Sequence, residues 1–466
     1  MTKPYCAIRG AKLSFPEPLR YVAFDGGVLP TVKKTGYMEA DETIDLWNET
    51  DDGRIEVPRN TKVNPNLFVE NGTKLIFSEA PIELKAGFKP YAHQTRILNE
   101  VNKEISSQDL TDFFIRMPCG GGKTVSLLMI LAKLRLKALI LCPTNQLVEQ
   151  WEEAIEAFLD PSCELGEHIV VSTIHSAHKL GDDFDVVVAD EAHTIAADQW
   201  GEAVQLFSSK FRIALTATPF RTDGTCERMF AIFGQRTFIV SEQELEDAGL
   251  WHRPSVVLAL FRNDDPIKHA MKYGANGELV QYYSSARTYN ALATNTDRQE
   301  FIASIVRKAS SKGRISLTLF NRTKAITDLA ERIAPLKPGI VRSKAKFDVE
   351  LAKDHIVGIS SMVTQGLDKK NLDTMIMGSP FSGKGVLEQM YGRLTRPFGN
   401  AGIFFDIVDT DLDADIFSDR ELAKRQAGRR GRALTPLESS AMSRIAFYKS
   451  KGMTVSIMAD GKFYGV

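Results

Sequence analysis

From about Lys85 onward, short apolar runs alternate with amphipathic stretches in a regular order. Strand-like runs fall at Phe113–Met117, Ala138–Cys142, Ile169–Ser172, Val186–Asp190 and Ile213–Ala217, with helical stretches such as Thr124–Leu136 and Gln146–Phe158 between them. Continuously apolar strands separated by helices predict a parallel sheet buried on both faces. After a connecting region of roughly sixty residues, longer than an ordinary loop, the pattern returns. Its second appearance has strands at Ile315–Phe320, His355–Ser360, Thr374–Gly378 and Gly402–Ile407, and helices at Thr323–Ile333 and Val386–Leu394. Two α/β units in tandem are therefore expected, the second without a phosphate loop of its own. Upstream, residues 1–81 are rich in Pro, Gly, Asp and Thr. They hold short β-prone pieces such as Leu19–Phe24 and Leu67–Phe77 between turn signals, which suits a small, mostly β accessory domain. The tail, 411–466, reads as a helical, polar extension with a basic cluster at Lys424, Arg425, Arg429, Arg430 and Arg432. The expected division is 1–81, 82–235, 236–410 and 411–466.

Composition narrows the class. With 43% hydrophobic and 25% charged residues, the chain has the make-up of a globular protein large enough for several cores. The 58 Lys and Arg nearly balance the 59 Asp and Glu, leaving a net charge of -1. Any nucleic-acid contact must then come from local surfaces rather than from a global positive field. Cys6, Cys119, Cys142, Cys163 and Cys226 form no CxxC pair, which argues against a disulfide frame or a zinc site. No apolar run approaches the ~20 residues of a membrane span, and the first residues lack a secretory core. A soluble, cytoplasmic protein is expected, not associated with membrane.

Chemistry enters at Met117-Pro118-Cys119-Gly120-Gly121-Gly122-Lys123-Thr124, which follows a strand and opens a helix. Consecutive glycines let backbone N–H groups close around phosphate oxygens, and the helix N-terminus adds partial positive charge. Lys123 would reach the outer phosphates of ATP, and Thr124 would bind Mg²⁺. The strict phosphate-loop pattern has glycine where Met117 stands. Downstream, the strand Val186-Val187-Val188-Ala189 runs into Asp190-Glu191-Ala192-His193. A carboxylate at that strand end is where Mg²⁺ needs support, and Glu191 would orient and deprotonate the attacking water.

Together these residues resemble helicase superfamily two, over roughly Pro90 to Asp409. Asp190–His193 resembles motif II of its DEAH-box members, Thr216-Ala217-Thr218-Pro219-Phe220-Arg221 motif III, and Gln389-Met390-Tyr391-Gly392-Arg393-Leu394-Thr395-Arg396 motif VI. Pro143–Leu147 with Gln150-Trp151 is similar to motif Ia, Leu319–Arg322 to motif IV, and Thr364–Asp368 to motif V. The resemblance implies two RecA-like lobes that bind ATP. Arg393 and Arg396 would be arginine fingers on the γ-phosphate. Gln94 would read the adenine, and Gly366 and Asp368 would hold the rest of the nucleoside. His193, Thr216, Thr218 and Gln389 would couple hydrolysis to movement. A strand's backbone would be gripped by Thr144, Asn145, Ser172, Thr173, His175, Asn321, Arg322, Ser361 and Thr364, largely neutral donors that bind phosphates without reading bases.

Within the superfamily, Ala214–Gly224, Asp247–Pro254, Asn295–Ile302 and Arg444–Val455 resemble the UvsW and XPB-type group and phage branch-migration helicases. That implies a monomeric DNA helicase acting on forked, R-loop or Holliday-type DNA in repair or recombination. Three alternatives stay open: a double-strand translocase or restriction-type motor subunit, an RNA helicase, and a nucleotide-gated scaffold without hydrolysis.

Overall fold

In a computed structural model the chain divides into two compact units, Met1–Leu245 and Glu246–Val466. The structure describes residues 5–9, 12–16, 24, 29–34, 42–45, 47–51, 54–61, 68–71, 79–108, 110–192, 203–217, 226–263, 266–273, 279–342, 347–360, 369, 371–381, 383–395, 400–411 and 434–465.

The first unit opens with β1 (Tyr5–Arg9), β2 (Lys12–Pro16), β3 (Thr31–Lys34), β4 (Glu42–Asp45), β5 (Asn48–Glu49), β6 (Arg54–Pro58) and β7 (Phe68–Asn71). Five of these form a sheet in the order β5-β6-β2-β1-β7, and β3 pairs with β4. The mostly β character expected of the N-terminus is present. Of the two β-prone pieces named from sequence, Leu67–Phe77 yields β7, and only Phe24 of Leu19–Phe24 is described.

Next come α1 (Ala92–Gln108), β8 (Asp112–Arg116), α2 (Lys123–Leu134), β9 (Ala138–Cys142), α3 (Asn145–Phe158), β10 (Ile169–Thr173), β11 (Val186–Ala189), β12 (Phe211–Thr216), α4 (Cys226–Phe233), β13 (Thr237–Ile239) and α5 (Glu242–Asp247). The six strands lie parallel in the order β10-β9-β11-β12-β8-β13. β9 and β11, apolar at every position, are buried throughout, as parallel strands under helices must be. The residues just after β6 pin the small sheet to this one. Arg59 donates to the Asp112 carboxylate through Nε (2.7 Å) and Nη2, and to the Ser209 carbonyl at 2.7 Å.

The second unit contains β14 (Ser255–Arg262), β15 (His269–Tyr273), β16 (Leu279–Tyr283), α6 (Ser285–Thr294), α7 (Thr296–Ser311), β17 (Ser316–Phe320), α8 (Thr323–Arg332), β18 (Gly339–Val341), α9 (Phe347–Leu351), β19 (His355–Ile359), β20 (Thr374–Met377), α10 (Lys384–Gly392), β21 (Ile403–Thr410), α11 (Pro436–Ser450), β22 (Val455–Ala459) and β23 (Lys462–Gly465). Its main sheet runs β18-β19-β17-β20-β21-β14-β22-β23, parallel except for β23.

Two expectations need correction. The connecting region belongs to the second sheet's own structure: it supplies β14, an interior strand of that sheet, then the antiparallel hairpin β15–β16 and α6. The tail is not helical throughout, because β22 and β23 extend that sheet. The basic cluster at 424–432 lies outside the described residues. The tail is bound in through α11. Its capping box at Thr435 and Glu438 fixes the start, and Arg444 donates two hydrogen bonds to buried Asp406, at 2.7 and 2.9 Å. Tyr448 donates a third, at 3.0 Å.

Candidate functional site

The phosphate-loop sequence lies between the end of β8 and the start of α2. Gly120 and Gly122 have φ of 78° and 81°, the left-handed region that a side chain strains to enter. Gly122 is also sterically committed, since a Cβ there would stand 2.5 Å from Gln94 Nε2. Because the N-cap is glycine, α2 begins with no side chain accepting from its first turn. Those N–H groups are the unsatisfied donors, at the positive end of the helix dipole, that bind an anion.

Two neighbours shape the loop. His93, buried, shares a hydrogen bond between Nε2 and the Gly121 carbonyl at 2.9 Å, and its ring stacks on Tyr91. Gln94, 3% exposed, accepts from the Tyr91 N–H at 2.9 Å while its amide nitrogen faces Gly122. In this conformation Gln94 braces the loop. His93 carried no role in the sequence reading, although it sits one residue before Gln94.

Lys123 and the acid pair meet across the sheet edge. Lys123 Nζ lies 3.3 Å from Glu191 Oε1, and both side chains are largely buried. Burial pulls the Lys123 ammonium down, but Glu191 and then Cys119 and Asp190 outweigh it, so the ammonium is held above the ordinary lysine range. Glu191 is reached through an uncommon backbone, with φ of 48°, the left-handed region that costs a non-glycine residue about 1–2 kcal/mol. That turn leaves Asp190 and Glu191 on different errands. Asp190 accepts from the indole N–H of Trp151 at 2.9 Å and from the Glu191 N–H at 2.8 Å. Burial, then the like charge of Glu191, pushes its carboxyl above the usual range, against Lys123 and the two donors. Trp151, 2% exposed, is the second residue that gained no role from sequence, although it ends the motif-Ia-like stretch.

Thr124 opens α2 beside the loop. A threonine hydroxyl and a desolvated carboxylate are oxygen donors suited to Mg²⁺ that takes its other ligands from phosphates and water. The chain therefore fits that ion, although the described residues hold no cluster of three or more His, Cys, Asp or Glu able to bind a metal unaided. Thr216 ends β12, fully buried, and its carbonyl accepts from the Met117 N–H at 3.2 Å, linking motif III to the loop strand. Buried Cys142 is pushed upward by burial and by Asp190, and so stays a thiol.

Of the expected grips in the first unit, Thr144 caps α3, its hydroxyl accepting from Leu147 N, and Asn145 stands exposed beside it. Ser172 donates to the Thr173 carbonyl, Thr173 bonds Ser176, and His175 is exposed. In the second unit Asn321 accepts from Ser379, and Arg322 donates to Asn290 at 2.6 Å. Half-buried Gln389 lies on α10, and Arg393 caps its end. α11 backs that helix through Tyr391–Phe447 ring contact and the Lys451–Glu388 ion pair at 2.8 Å. His193, Thr218, Ser361, Thr364, Gly366, Asp368 and Arg396 lie outside the described residues.

Comparison with known proteins gives the same direction. Residues 87–221 match the family model described as type III restriction enzyme, res subunit. The chain is 35% identical over 142 residues to the DNA 3'-5' translocase XPB2 of Sulfurisphaera tokodaii, a match covering 28% of this chain and only 32% of that protein. It is 27% identical over 342 residues to 161L of Invertebrate iridescent virus 6, assigned as a helicase, covering 63% of this chain and 71% of that one. A fragment assigned as the HsdR subunit of a type I restriction enzyme from Vibrio vulnificus shares the fold, with a TM-score of 0.52 at 17% identity, over 80% of this chain and 70% of the fragment. No helix among the described residues is long and apolar enough to cross a membrane.

Proposed function

Because the chain belongs to helicase superfamily two, a class of ATP-hydrolysing enzymes, we propose that it is a DNA motor that unwinds or branch-migrates forked, R-loop or Holliday-type DNA. The observation that supports it most is the juxtaposition of the uncapped glycine loop, Lys123 and the Asp190–Glu191 pair on one sheet edge.

The chemistry follows from that contact. Lys123 is paired with Glu191 at 3.3 Å. A triphosphate on the loop N–H groups offers Lys123 more negative charge than one carboxylate does, so the ammonium moves to the phosphates. Glu191 is then released to accept a proton from the water that attacks the γ-phosphorus. A Mg²⁺ ion supported by Thr124 and Asp190 would neutralise charge on the outer phosphates. Trp151 and the Glu191 N–H keep the Asp190 oxygens oriented for that duty. Arg393 and Arg396 are proposed to stabilise transition-state charge, and loss of the γ-phosphate to release the state that ATP favoured.

The test is phosphate release across single-stranded, duplex, forked and four-way DNA with RNA counterparts, together with strand displacement on the forks. Stimulation strongest on forked or four-way DNA, lost in Lys123→Ala and Glu191→Gln, is the expected result. Stimulation by RNA alone would defeat the DNA assignment. The restriction-type family match favours a second reading, a duplex translocase that moves without separating strands. Triplex displacement without fork unwinding would select it.

A further inference from the structure

Between the interior strand β14 and α7, the second unit carries a segment that no helicase motif accounts for. Residues 263–295 hold Lys268, Lys272 and Arg287, balanced by Asp264, Asp265 and Glu278. The same stretch holds four of the 11 tyrosines, Tyr273, Tyr282, Tyr283 and Tyr289, so it combines basic side chains with flat rings. It folds as the hairpin β15–β16, paired from His269↔Tyr283 to Tyr273↔Leu279, followed by α6.

The hairpin is fastened to α6. The Ser284 N–H donates to the Lys268 carbonyl at 2.9 Å, and the Lys268 N–H donates to the hydroxyl of fully buried Thr288 at 3.0 Å. Arg287 donates from Nη1 to the His269 carbonyl at 3.2 Å. The far part of α6 reaches motif IV: Asn290 accepts from Arg322 Nε at 2.6 Å, and the Arg322 guanidinium lies 5.9 Å from the Tyr289 ring centre. Hairpin, helix and Arg322 therefore form one connected piece.

Strand alternation gives the hairpin two unlike faces. Ala270, 8% exposed, and its register partner Tyr282, 40% exposed, share one face. His269, Met271 and Gln281 occupy the outer face and are exposed, with Tyr283 half-buried beside them. Met271, at 56% exposure, is among the most exposed large apolar side chains described. A face that presents Met271 and Tyr283 beside His269 and Gln281, with exposed Arg287 fastened to the His269 carbonyl, suits unpaired bases with their phosphates, because a base must leave its stack before its flat side can be covered.

We propose that the outer face of β15–β16 is a single-stranded DNA platform, continuing the path of a strand whose backbone is held at Arg322. Met271 and Tyr283 cover a base, and Arg287 takes a phosphate. This assignment rests on the superfamily-two motor reading and adds to it where the strand goes beyond motif IV.

The test is fluorescence anisotropy of the full chain with labelled oligo-dT and with a blunt duplex of equal length. Met271→Glu and Arg287→Glu are expected to weaken oligo-dT binding about tenfold each, with little change for the duplex, while Arg322→Ala weakens oligo-dT binding as well. An oligonucleotide carrying 4-thiothymidine, irradiated on the unmodified protein, is expected to crosslink within 269–283, a readout that needs no variant to fold. Hairpin variants that bind oligo-dT like the parent while Arg322→Ala does not, with no crosslink in 269–283, would overturn the platform and leave the motor standing. Weakening for the duplex alone would overturn the single-strand assignment. Failure of the unmodified protein to bind any nucleic acid would remove the motor reading and the platform with it.

Discussion

Asp190 and Asp406 are both buried aspartates of parallel sheets, at 7% and 0% exposure, yet the two units treat them differently. Asp406 receives Arg444 through two hydrogen bonds and Tyr448 through a third, so a full cation and a hydroxyl answer its charge. Burial alone would lower Arg444, but Asp406 more than reverses it, and Tyr448 is held far above its usual range by burial and by the same carboxylate. Among the described residues Asp190 has only an indole and an amide N–H as donors, with like-charged Glu191 beside it and the nearest ammonium bound to Glu191 instead. The pair at Asp406 is finished structure: it clamps α11 onto β21 and gains nothing from a further partner. Asp190 is left short of positive charge, which is the state a carboxylate needs if it is to serve a dication. A buried charge is informative about chemistry only when its bonding is incomplete.

Mutation separates the two aspartates most sharply. Glu191→Gln removes the proposed proton acceptor and is expected to cut DNA-stimulated phosphate release by about 10²–10⁴-fold, measured at saturating ATP, with a smaller loss of stability than Arg444→Ala causes. Arg444→Ala is the reverse experiment. It strands Asp406 without its cation and is expected to cost about 3–5 kcal/mol in urea unfolding, and adding Asp406→Asn should return part of that loss. If Glu191→Gln destabilised the fold as much as Arg444→Ala does, the distinction between the two aspartates would fail. A smaller effect falls between them. Trp151→Phe removes a hydrogen bond to a charged group, worth about 1.5–3 kcal/mol, and should weaken Mg²⁺-dependent nucleotide binding more than it lowers stability. Titration calorimetry with and without the ion separates the two effects.

Much of this was legible in the sequence, for a local reason. Val186–Ala189 and Ala138–Cys142 are unbroken apolar runs, and the glycine loop and acid pair lie where such runs stop, so their positions could be read from neighbours alone. What escaped was long-range. Trp151 meets Asp190 across 39 residues and His93 meets Gly121 across 28, and neither pairing leaves a mark in its own segment. The interior strand β14 was absorbed into an expected connection because both of its partners, β21 and β22, come far later in the chain. The terminal strands were missed for the same reason: Val455–Ala459 is short, and only the vacant side of β14 makes it a strand.

The smallest expected effect tests the electrostatic half of the comparison. Burial and Glu191 raise Asp190, while Lys123, Trp151 and the Glu191 N–H lower it, and the first pair wins. The folded chain thus binds the Asp190 proton more tightly than the unfolded chain does. Stability therefore falls as pH rises from the ordinary carboxylate range, about pH 4, through the raised folded titration point, and stays low above it. Asp190→Asn has no such proton. Its melting temperature should exceed the parent's by a margin that grows with pH, and each tenfold tightening of the folded chain's hold on that proton corresponds to about 1.4 kcal/mol. Glu191→Gln removes the like charge and should flatten the parent's slope without abolishing it. Saturating Mg²⁺ and nucleotide should remove the margin, since a bound cation favours the ionised carboxylate that burial opposes. A margin that shrinks as pH rises in the nucleotide-free protein would mean that Lys123 already satisfies Asp190, and the contrast with Asp406 would be lost.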